Sequence, residues 1–315
     1  MLTYALAVLA ACANAASSVL QRKANREIPQ TENLSWELIR DLLHQPVWFG
    51  GVLAVIIGFL LQATALGTGE LAAVEPVLVL ELPITLILAS RVFGSRMRWQ
   101  EWASTIAMTA GLAGLLYFLS PSGGQSGGLP FYGWVIGIGA NLALVGALVA
   151  WGRRGPAGRS GGTGGSSSRQ AAVLGVAAGA TFGLTAALMK GMTGTFSSGG
   201  LGELLTSWQL YGMIAAGILG LFLVQSAMNA GRLIAAQPGL TLSDPIVSIL
   251  WGVLAFHEEV RGGMNILFAT LSGLVMAGAV VALARSPLLS DESAGDGPDP
   301  EDARLRAGDQ QRSGI

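Results

Sequence analysis

The sequence has 315 residues, of which 51% are apolar and only 12% are charged, against about 25% charged in soluble domains. This composition excludes an ordinary soluble enzyme and indicates a membrane protein. The net charge is −1, and no strongly basic block points to nucleic acid as a partner. The single cysteine, Cys12, excludes a disulfide framework and a cysteine metal cluster. We expect no cofactor.

Nine apolar stretches approach the length of about 20 residues that a helix needs to cross about 30 Å of hydrocarbon. They cover residues 2–20, 48–67, 70–92, 102–119, 131–151, 171–189, 207–227, 233–256 and 263–284. Because lipid offers the backbone no hydrogen-bond partners, such stretches form helices. The sequence therefore predicts an all-α fold, a polytopic membrane bundle of nine transmembrane helices in contact with the lipid bilayer.

The segments between the spans have their own patterns. Residues 34–45 combine an apolar face with a charged face, which is typical of a helix lying at the membrane interface. Residues 120–170 contain the fifth span and a Gly/Ser-rich linker at 155–168, and residues 287–315 form an acidic tail that we expect to be disordered. Two membrane repeats, 1–119 and 171–286, flank the connector.

The distribution of Lys and Arg predicts the orientation, because these residues are retained on the cytoplasmic side. With the N-terminus outside, sixteen of the eighteen basic residues fall on cytoplasmic segments, and only Lys190 and Arg261 fall outside. We therefore expect a multi-pass protein of the cell membrane with its C-terminus in the cytoplasm. The sequence does not decide between a monomer and a homodimer.

An internal repeat relates residues 69–84 to residues 231–246 at a constant offset of 162. Eight of the sixteen positions are identical, including both prolines and the preceding glycine. Spans one to four then correspond to spans six to nine, and the odd offset of five spans makes the two repeats inverted. Inverted four-helix repeats joined by a connector helix are typical of secondary transporters, whose substrate site lies near the midplane.

In these features the sequence resembles the drug/metabolite transporter superfamily. The nine-span layout looks most like the NIPA branch. It has the basic cluster Gln21-Arg22-Lys23 after the first span, a short loop into a third span that carries prolines within residues 72–83, and a separate connector span. The resemblance covers roughly residues 2–286. It implies a duplicated transporter fold and, for some members of that branch, magnesium transport.

Apart from Glu70 at the very start of the third span, three acidic residues lie inside predicted spans: Glu75 and Glu81 in the third and Asp244 in the eighth. A carboxylate in the bilayer is costly, so it normally faces protein or water and has a role. We predict a central acidic site at the repeat interface. The alternative is that each acid is protonated and hydrogen-bonded to a neighbouring helix.

Four prolines accompany these acids, namely Pro76, Pro83, Pro238 and Pro245. We expect helix breaks there, because proline leaves a carbonyl without its helical donor and that oxygen can bind a cation or polar substrate. We therefore count Pro76 and Pro238 as binding candidates. The alternative is that the prolines only shape the helices.

Two glutamines and a stripe of glycines are further features of the predicted spans. Gln62 and Gln225 occupy matched places in the two repeats and line a polar cavity or bond between helices. Gly175, Gly179 and Gly183 form a stripe that predicts close helix packing.

The run from His257 to Glu259 lacks the second histidine of a zinc helix, so we interpret it as a solvated outer cap. No nucleophile motif and no phosphate-binding loop is present, and we expect that the protein is not an enzyme. The metal question is open.

Our leading hypothesis is a secondary transporter that moves a small solute by alternating access, coupled to protons or to substrate exchange. A divalent cation transporter, with magnesium as the first candidate, is the alternative, because hard ions prefer oxygen ligands. An intramembrane enzyme or a non-transporting membrane protein is the rival from another class.

Overall fold

The computed structural model describes residues 1–26, 46–94, 97–124, 129–153, 165–230 and 233–284. The predicted interfacial helix, the acidic tail and most of the Gly/Ser-rich linker lie outside these residues. The described part of the chain is all-helical, which confirms the predicted fold class. Its ten helices are α1 Leu2–Arg26, α2 Pro46–Thr68, α3 Leu71–Leu78, α4 Glu81–Val92, α5 Trp99–Leu119, α6 Phe131–Arg153, α7 Gly165–Thr206, α8 Trp208–Ala230, α9 Leu233–Ala255 and α10 Met264–Ala284.

Nine segments of the described chain are long and apolar enough to cross a membrane, with α3 and α4 together forming the third. This confirms the number of predicted spans and the multi-pass architecture. Large apolar side chains on the outside of the bundle, such as Leu53, Ile56, Phe222 and Leu271, are about half exposed or more. Such a surface suits lipid, which has no polar partners to offer.

The helix bounds differ from the predicted ones most in the sixth span. The sixth span was expected over 171–189, but α7 starts at Gly165 within the predicted linker and continues to Thr206. Its one non-helical residue is Gly200, with φ 67°. Glycine adopts this left-handed backbone at little cost, which allows the helix to bend there before it ends.

The two proline-bearing spans also differ from each other. The third span breaks at Val79 and Leu80, between Pro76 and Pro83. There the amides of Val79 and Leu80 donate to carbonyls three residues earlier rather than four. The eighth span is one continuous helix, α9, in spite of Pro238 and Pro245. The predicted helix breaks in that span were therefore wrong.

Most helices pack in pairs, and α7 packs mainly on three other helices. Helix α1 packs on α2, α5 packs on α10, and α7 packs on α9, α8 and α6. Helix α3 lies against α9 and α1. We call the end of the bundle that carries Met1 and Thr68 the Met1 end, because the Thr3 hydroxyl donates to the Thr68 carbonyl there. The opposite end, where α6 finishes, is the Arg153 end.

The glycine stripe of α7 packs directly on the backbone of α9, as predicted. A Cβ atom on Gly175 would run into the Ala236 carbonyl, and one on Gly179 would run into the Ser243 hydroxyl and the Leu240 carbonyl. The Ser243 hydroxyl also donates to the Val176 carbonyl at 3.0 Å. Small side chains thus bring the two backbones together, which is the usual way of packing helices within a membrane.

Candidate functional site

A cavity of about 540 Å³ lies inside the bundle where α1, α2, α3, α4, α7 and α9 meet. Its walls include all three predicted acids and one predicted glutamine: Gln62, Glu75, Glu81 and Asp244. Further polar side chains complete the lining, namely Asn14, Thr185, Gln237 and Thr241. None of the described residues that line it is Lys, Arg or His, so the only formally charged groups in the wall are acidic.

Glu75 lies in the middle of the short helix α3 and is 4% exposed. The Gln62 side-chain amide, which comes from α2, donates to its Oε1 at 3.0 Å. Glu75 is also close enough to Asp244 for an electrostatic interaction between the two carboxyl groups. These two acids come from the third and the eighth span, so the cavity joins the two halves of the sequence through them.

Glu81 is the first residue of α4 and follows the break in the third span directly. Its carboxyl group interacts with the side chains of Asn14 and Ser18 on α1. The first turn of a helix carries unsatisfied amides and a positive partial charge, which favours an acidic side chain at that position. The break therefore gives Glu81 a polar environment within an apolar span.

Asp244 lies in the middle of α9, one residue before Pro245. The Ser248 hydroxyl, one helical turn further on, is 3.4 Å from its Oδ1. Pro245 also lines the cavity. Because a proline has no amide hydrogen, the carbonyl of Thr241 lacks its usual helical donor beside the acid.

The remaining sequence candidates lie elsewhere. Gln225 is on the exposed surface of α8 and does not line the cavity, so the structure does not bring it together with Gln62. Pro76 is fully buried and Pro238 is partly buried, and neither is part of the lining. Of the four prolines, Pro245 is the one at the cavity wall.

A second charged cluster lies at the Met1 end, between the cavity and that end of the bundle. Lys190 on α7 and Glu258, in the loop between α9 and α10, form an ion pair with 2.5 Å between Nζ and Oε1. Both residues are buried, at 5% and 2% exposure. The interpretation of Glu258 as part of a solvated cap was therefore wrong, whereas its neighbours His257 and Glu259 are exposed as expected.

Glu258 also anchors the start of α3. Its Oε1 accepts a hydrogen bond from the Leu71 amide at 2.6 Å, and its Oε2 accepts one from the Ala72 amide at 2.9 Å. The Lys190 ammonium group donates to the Gly69 carbonyl at 2.9 Å. Glu258 thus satisfies the first amides of a helix that begins inside the protein, where water is not available to do so.

Sequence reasoning missed Asn14, Thr185, Gln237 and Thr241 as cavity residues. The signal was present, because each is a polar residue inside or beside an apolar stretch. Periodicity alone did not distinguish a polar side chain that faces a cavity from one that bonds its own helix. A separate question is metal binding. Among the described residues, no group of three or more His, Cys, Asp or Glu side chains could hold a metal ion.

Comparisons with known proteins give one informative similarity. An uncharacterised protein of Corynebacterium glutamicum is 29% identical over 288 residues, a match that covers 89% of this chain and 95% of the relative. No family model matches the sequence, and no solved structure matches it. The similarity therefore indicates a relative of almost the same length and gives no activity for either chain.

Proposed function

We propose that the protein is a secondary transporter that moves a small solute across the membrane by alternating access. One observation carries this proposal: a membrane-embedded cavity of about 540 Å³ whose acidic groups come from both halves of the chain. Glu75 and Glu81 belong to the third span, and Asp244 belongs to the eighth. A site shared between two halves changes its access when one half moves against the other.

Similar helix contacts in the two halves support the inverted repeat that forms part of the proposal. The first span packs on the second in one half, and the sixth packs on the seventh in the other. The first and third spans pack together, as do the sixth and eighth, while the fourth and ninth spans pack on each other. Under the predicted charge distribution, the Met1 end of this bundle faces outward and the Arg153 end faces the cytoplasm.

The acids suggest how transport is coupled. Two carboxylates that share a partly desolvated cavity without a basic partner repel one another, and each is costly to keep charged in the membrane. A proton or a cationic solute relieves that cost, so binding of one competes with binding of the other. This competition is the basis of exchange between protons and a solute.

The resemblance to the drug/metabolite transporter superfamily agrees with this proposal. The divalent cation alternative, which the resemblance to the NIPA branch implies, has no specific support in the geometry of the described residues. The cavity instead combines its acids with apolar walls that include Phe182, Met189 and Leu240. Such walls suit a solute with an apolar part better than a hydrated metal ion.

The experiment is transport in proteoliposomes loaded with a pH-sensitive dye. We would add amines, amino acids, sugars, nucleosides and MgCl₂ one class at a time, with and without an imposed pH gradient. Glu81→Gln and Asp244→Asn keep the shape of each side chain and remove its charge. We expect each to insert and fold normally and to lose pH-dependent movement of the solute that the unaltered protein carries.

Glu203→Gln is the matched control, because this substitution removes a carboxylate from the exposed surface of the same chain and is expected to leave transport unchanged. Each variant is checked for expression and a monodisperse elution profile. Full, pH-responsive transport by the Glu81→Gln, Asp244→Asn double variant would show that the site lies elsewhere. Movement of none of the solute classes would contradict the transporter proposal itself.

A further inference from the structure

Exposure along the cavity differs between its two ends. Near the Met1 end, Glu75, Ala186 and Met189 are at most 5% exposed. Toward the Arg153 end, the lining residues Gln237 and Thr241 on α9 are only partly buried. The cavity is thus lined by buried residues toward the Met1 end and by partly exposed residues toward the Arg153 end.

The packed side contains the ion pair of Lys190 and Glu258. This pair connects three elements: α7 through Lys190, the α9–α10 loop through Glu258, and the start of α3 through the amides of Leu71 and Ala72. Helix α7 and the loop belong to the second half of the sequence, whereas α3 belongs to the first. The pair therefore holds the two halves together at one end of the cavity.

A cluster of aromatic rings packs against one side of the pair. The Phe256 ring lies under the Lys190 ammonium group, with 5.0 Å between Nζ and the ring centroid. Trp134 stacks on Trp251 at 5.4 Å and meets Phe256 edge to face at 5.9 Å. The side chains of the pair are only 5% and 0% exposed, and such a weakly polar environment strengthens the attraction between their charges.

We propose that Lys190 and Glu258 form a gate that closes the cavity at the Met1 end, and that α3 links this gate to Glu75. The inference rests on the proposed function, because a gate is needed only in a protein that carries a solute through the cavity. Helix α3 is eight residues long, and Glu75 lies one turn after Leu71, whose amide is held by Glu258. Displacement of Glu258 therefore frees the helix that carries a cavity acid.

The physical chemistry of a buried ion pair suits a gate. Its two charges give up their hydration when they pair, and the attraction between them offsets that penalty only in part. When the pair separates into water, both groups regain their hydration. The closed and open arrangements can therefore have similar free energies, and a small difference in solute affinity between them is enough to shift the population.

The first test measures access to the cavity without a substrate. In a Cys12→Ser background, Thr185→Cys places one thiol on the cavity wall, and a membrane-impermeant maleimide is applied separately from each side of oriented vesicles. With the gate intact we expect labelling from the Arg153 side and protection from the Met1 side. The Glu258→Gln variant should label about tenfold faster from the Met1 side, as expected for a shift toward the open state.

Glu259→Gln is the matched control, because it makes the same change at the neighbouring, exposed position and should leave the labelling rate unchanged. Removal of one partner of a buried pair leaves the other charge unpaired and can unfold the protein. The Lys190→Met, Glu258→Gln double variant avoids that problem and should label as the open form does. Protection of this double variant, equal to that of the unaltered protein, would overturn the gate.

The second test ties α7 to the segment that leads from α2 into α3, which contains Gly69, the carbonyl acceptor of Lys190. A Cβ built on Gly67, at the end of α2, lies 3.3 Å from the Cβ of Thr193 on α7, slightly less than the roughly 3.5–4.5 Å found in disulfides, so a small outward shift allows the bond. The Gly67→Cys, Thr193→Cys double variant in the Cys12→Ser background should lose transport on oxidation and regain it with a reductant. Each single-cysteine variant is its control. Unchanged transport after complete crosslinking would contradict the gate.

The two tests separate the gate from the transporter proposal. Labelling reports access to the cavity whether or not a solute is carried, so a gate that opens in the double variant stands even if no solute moves. Conversely, solute transport that survives complete crosslinking between Gly67→Cys and Thr193→Cys leaves the transporter proposal standing and removes the gate.

Discussion

The third and eighth spans contain the same pair of prolines seven residues apart, yet their backbones differ. The third span breaks between Pro76 and Pro83 into α3 and α4, whereas the eighth remains one helix through Pro238 and Pro245. Each proline removes one backbone donor, so the local cost is the same in both spans. The neighbours of each span therefore decide whether the helix breaks.

Helix α9 is held along its length by α7. The glycines at positions 175, 179 and 183 bring the α9 backbone against α7, and Gly239 on α9 would place a Cβ 2.8 Å from the Ala172 carbonyl. A helix in such close contact cannot bend without losing its packing on that whole face. The hydrogen bonds lost at the two prolines therefore cost less free energy than the packing of α9 on α7 contributes.

Helix α3 is held instead at its start. The Glu258 carboxylate fixes the amides of Leu71 and Ala72, and Gln62 fixes Glu75. The chain then turns at Val79 and Leu80 and begins a new helix at Glu81, where the first turn accommodates a proline. Anchorage by charge at one end leaves the other end free to break, and the break places Glu81 in the cavity.

The largest expected effect comes from separating α7 and α9. In Gly179→Ala the new Cβ meets the Ser243 hydroxyl, the Leu240 carbonyl and, at 3.0 Å, the Asp244 amide nitrogen. Because two of these groups are backbone, the helices must move apart. We expect a loss of about 3 kcal/mol of stability, at the upper end of overpacking effects. Thermal unfolding in detergent, followed by loss of the monodisperse peak, measures it.

Gly146→Ala is the control for this change, because a Cβ on that exposed glycine of α6 has no atom within 4 Å. Alanine is the better helix former there, by up to about 1 kcal/mol. Equal stability of Gly179→Ala and the unaltered protein would show that close α7–α9 packing does not keep the eighth span continuous.

The second prediction addresses the anchor of α3. Gly252 on α9 leaves room for the Glu258 carboxylate, and a Cβ there would run into Oε2 and lie 3.2 Å from the Ala72 amide nitrogen. We expect Gly252→Ala to displace the carboxylate from α3 and to cost about 1–2 kcal/mol, the cost of buried hydrogen bonds left unmade. Hydrogen exchange at the Leu71 and Ala72 amides should accelerate with the loss of stability.

Gly217→Ala on α8, where a Cβ would have no neighbour within 4 Å, is the matched control for helix propensity. Slow exchange at both amides in Gly252→Ala, equal to that of the unaltered protein, would mean that Glu258 is not what holds the start of α3. The break in the third span would then need another cause.

The sequence predicted the parts of the fold that depend on local composition. Apolar stretches of span length gave nine spans, because a membrane helix must bury its own backbone hydrogen bonds wherever it lies. The intramembrane acids were also found, since a carboxylate in an apolar run is unusual whatever its partners. These three acids, Glu75, Glu81 and Asp244, line one cavity together with the predicted Gln62.

Features that depend on distant partners were not predictable. Glu258 follows the end of an apolar stretch, where an acid normally faces water, and its partner Lys190 is 68 residues away in the sequence. Nothing local distinguishes a buried pair from two solvated charges. The exposure of Gln225 was missed for a related reason, because a matched position in a repeat does not fix the direction of a side chain.

The smallest expected effects come from the prolines themselves. Pro83 is the third residue of α4, where the amide of any residue has no partner within that helix, and the Val79 carbonyl already accepts from Leu82 at 3.2 Å. We therefore expect Pro83→Ala to restore no hydrogen bond and not to raise the free energy of unfolding, because it loosens the unfolded chain and removes part of a buried side chain. Pro245→Ala restores an amide donor to the Thr241 carbonyl within a continuous helix and should stabilise the protein by up to about 1 kcal/mol.

Thermal unfolding of both variants in one detergent gives the order of their stabilities. A larger gain from Pro83→Ala than from Pro245→Ala would mean that the proline, and not the anchorage of α3 by Glu258, keeps the third span broken.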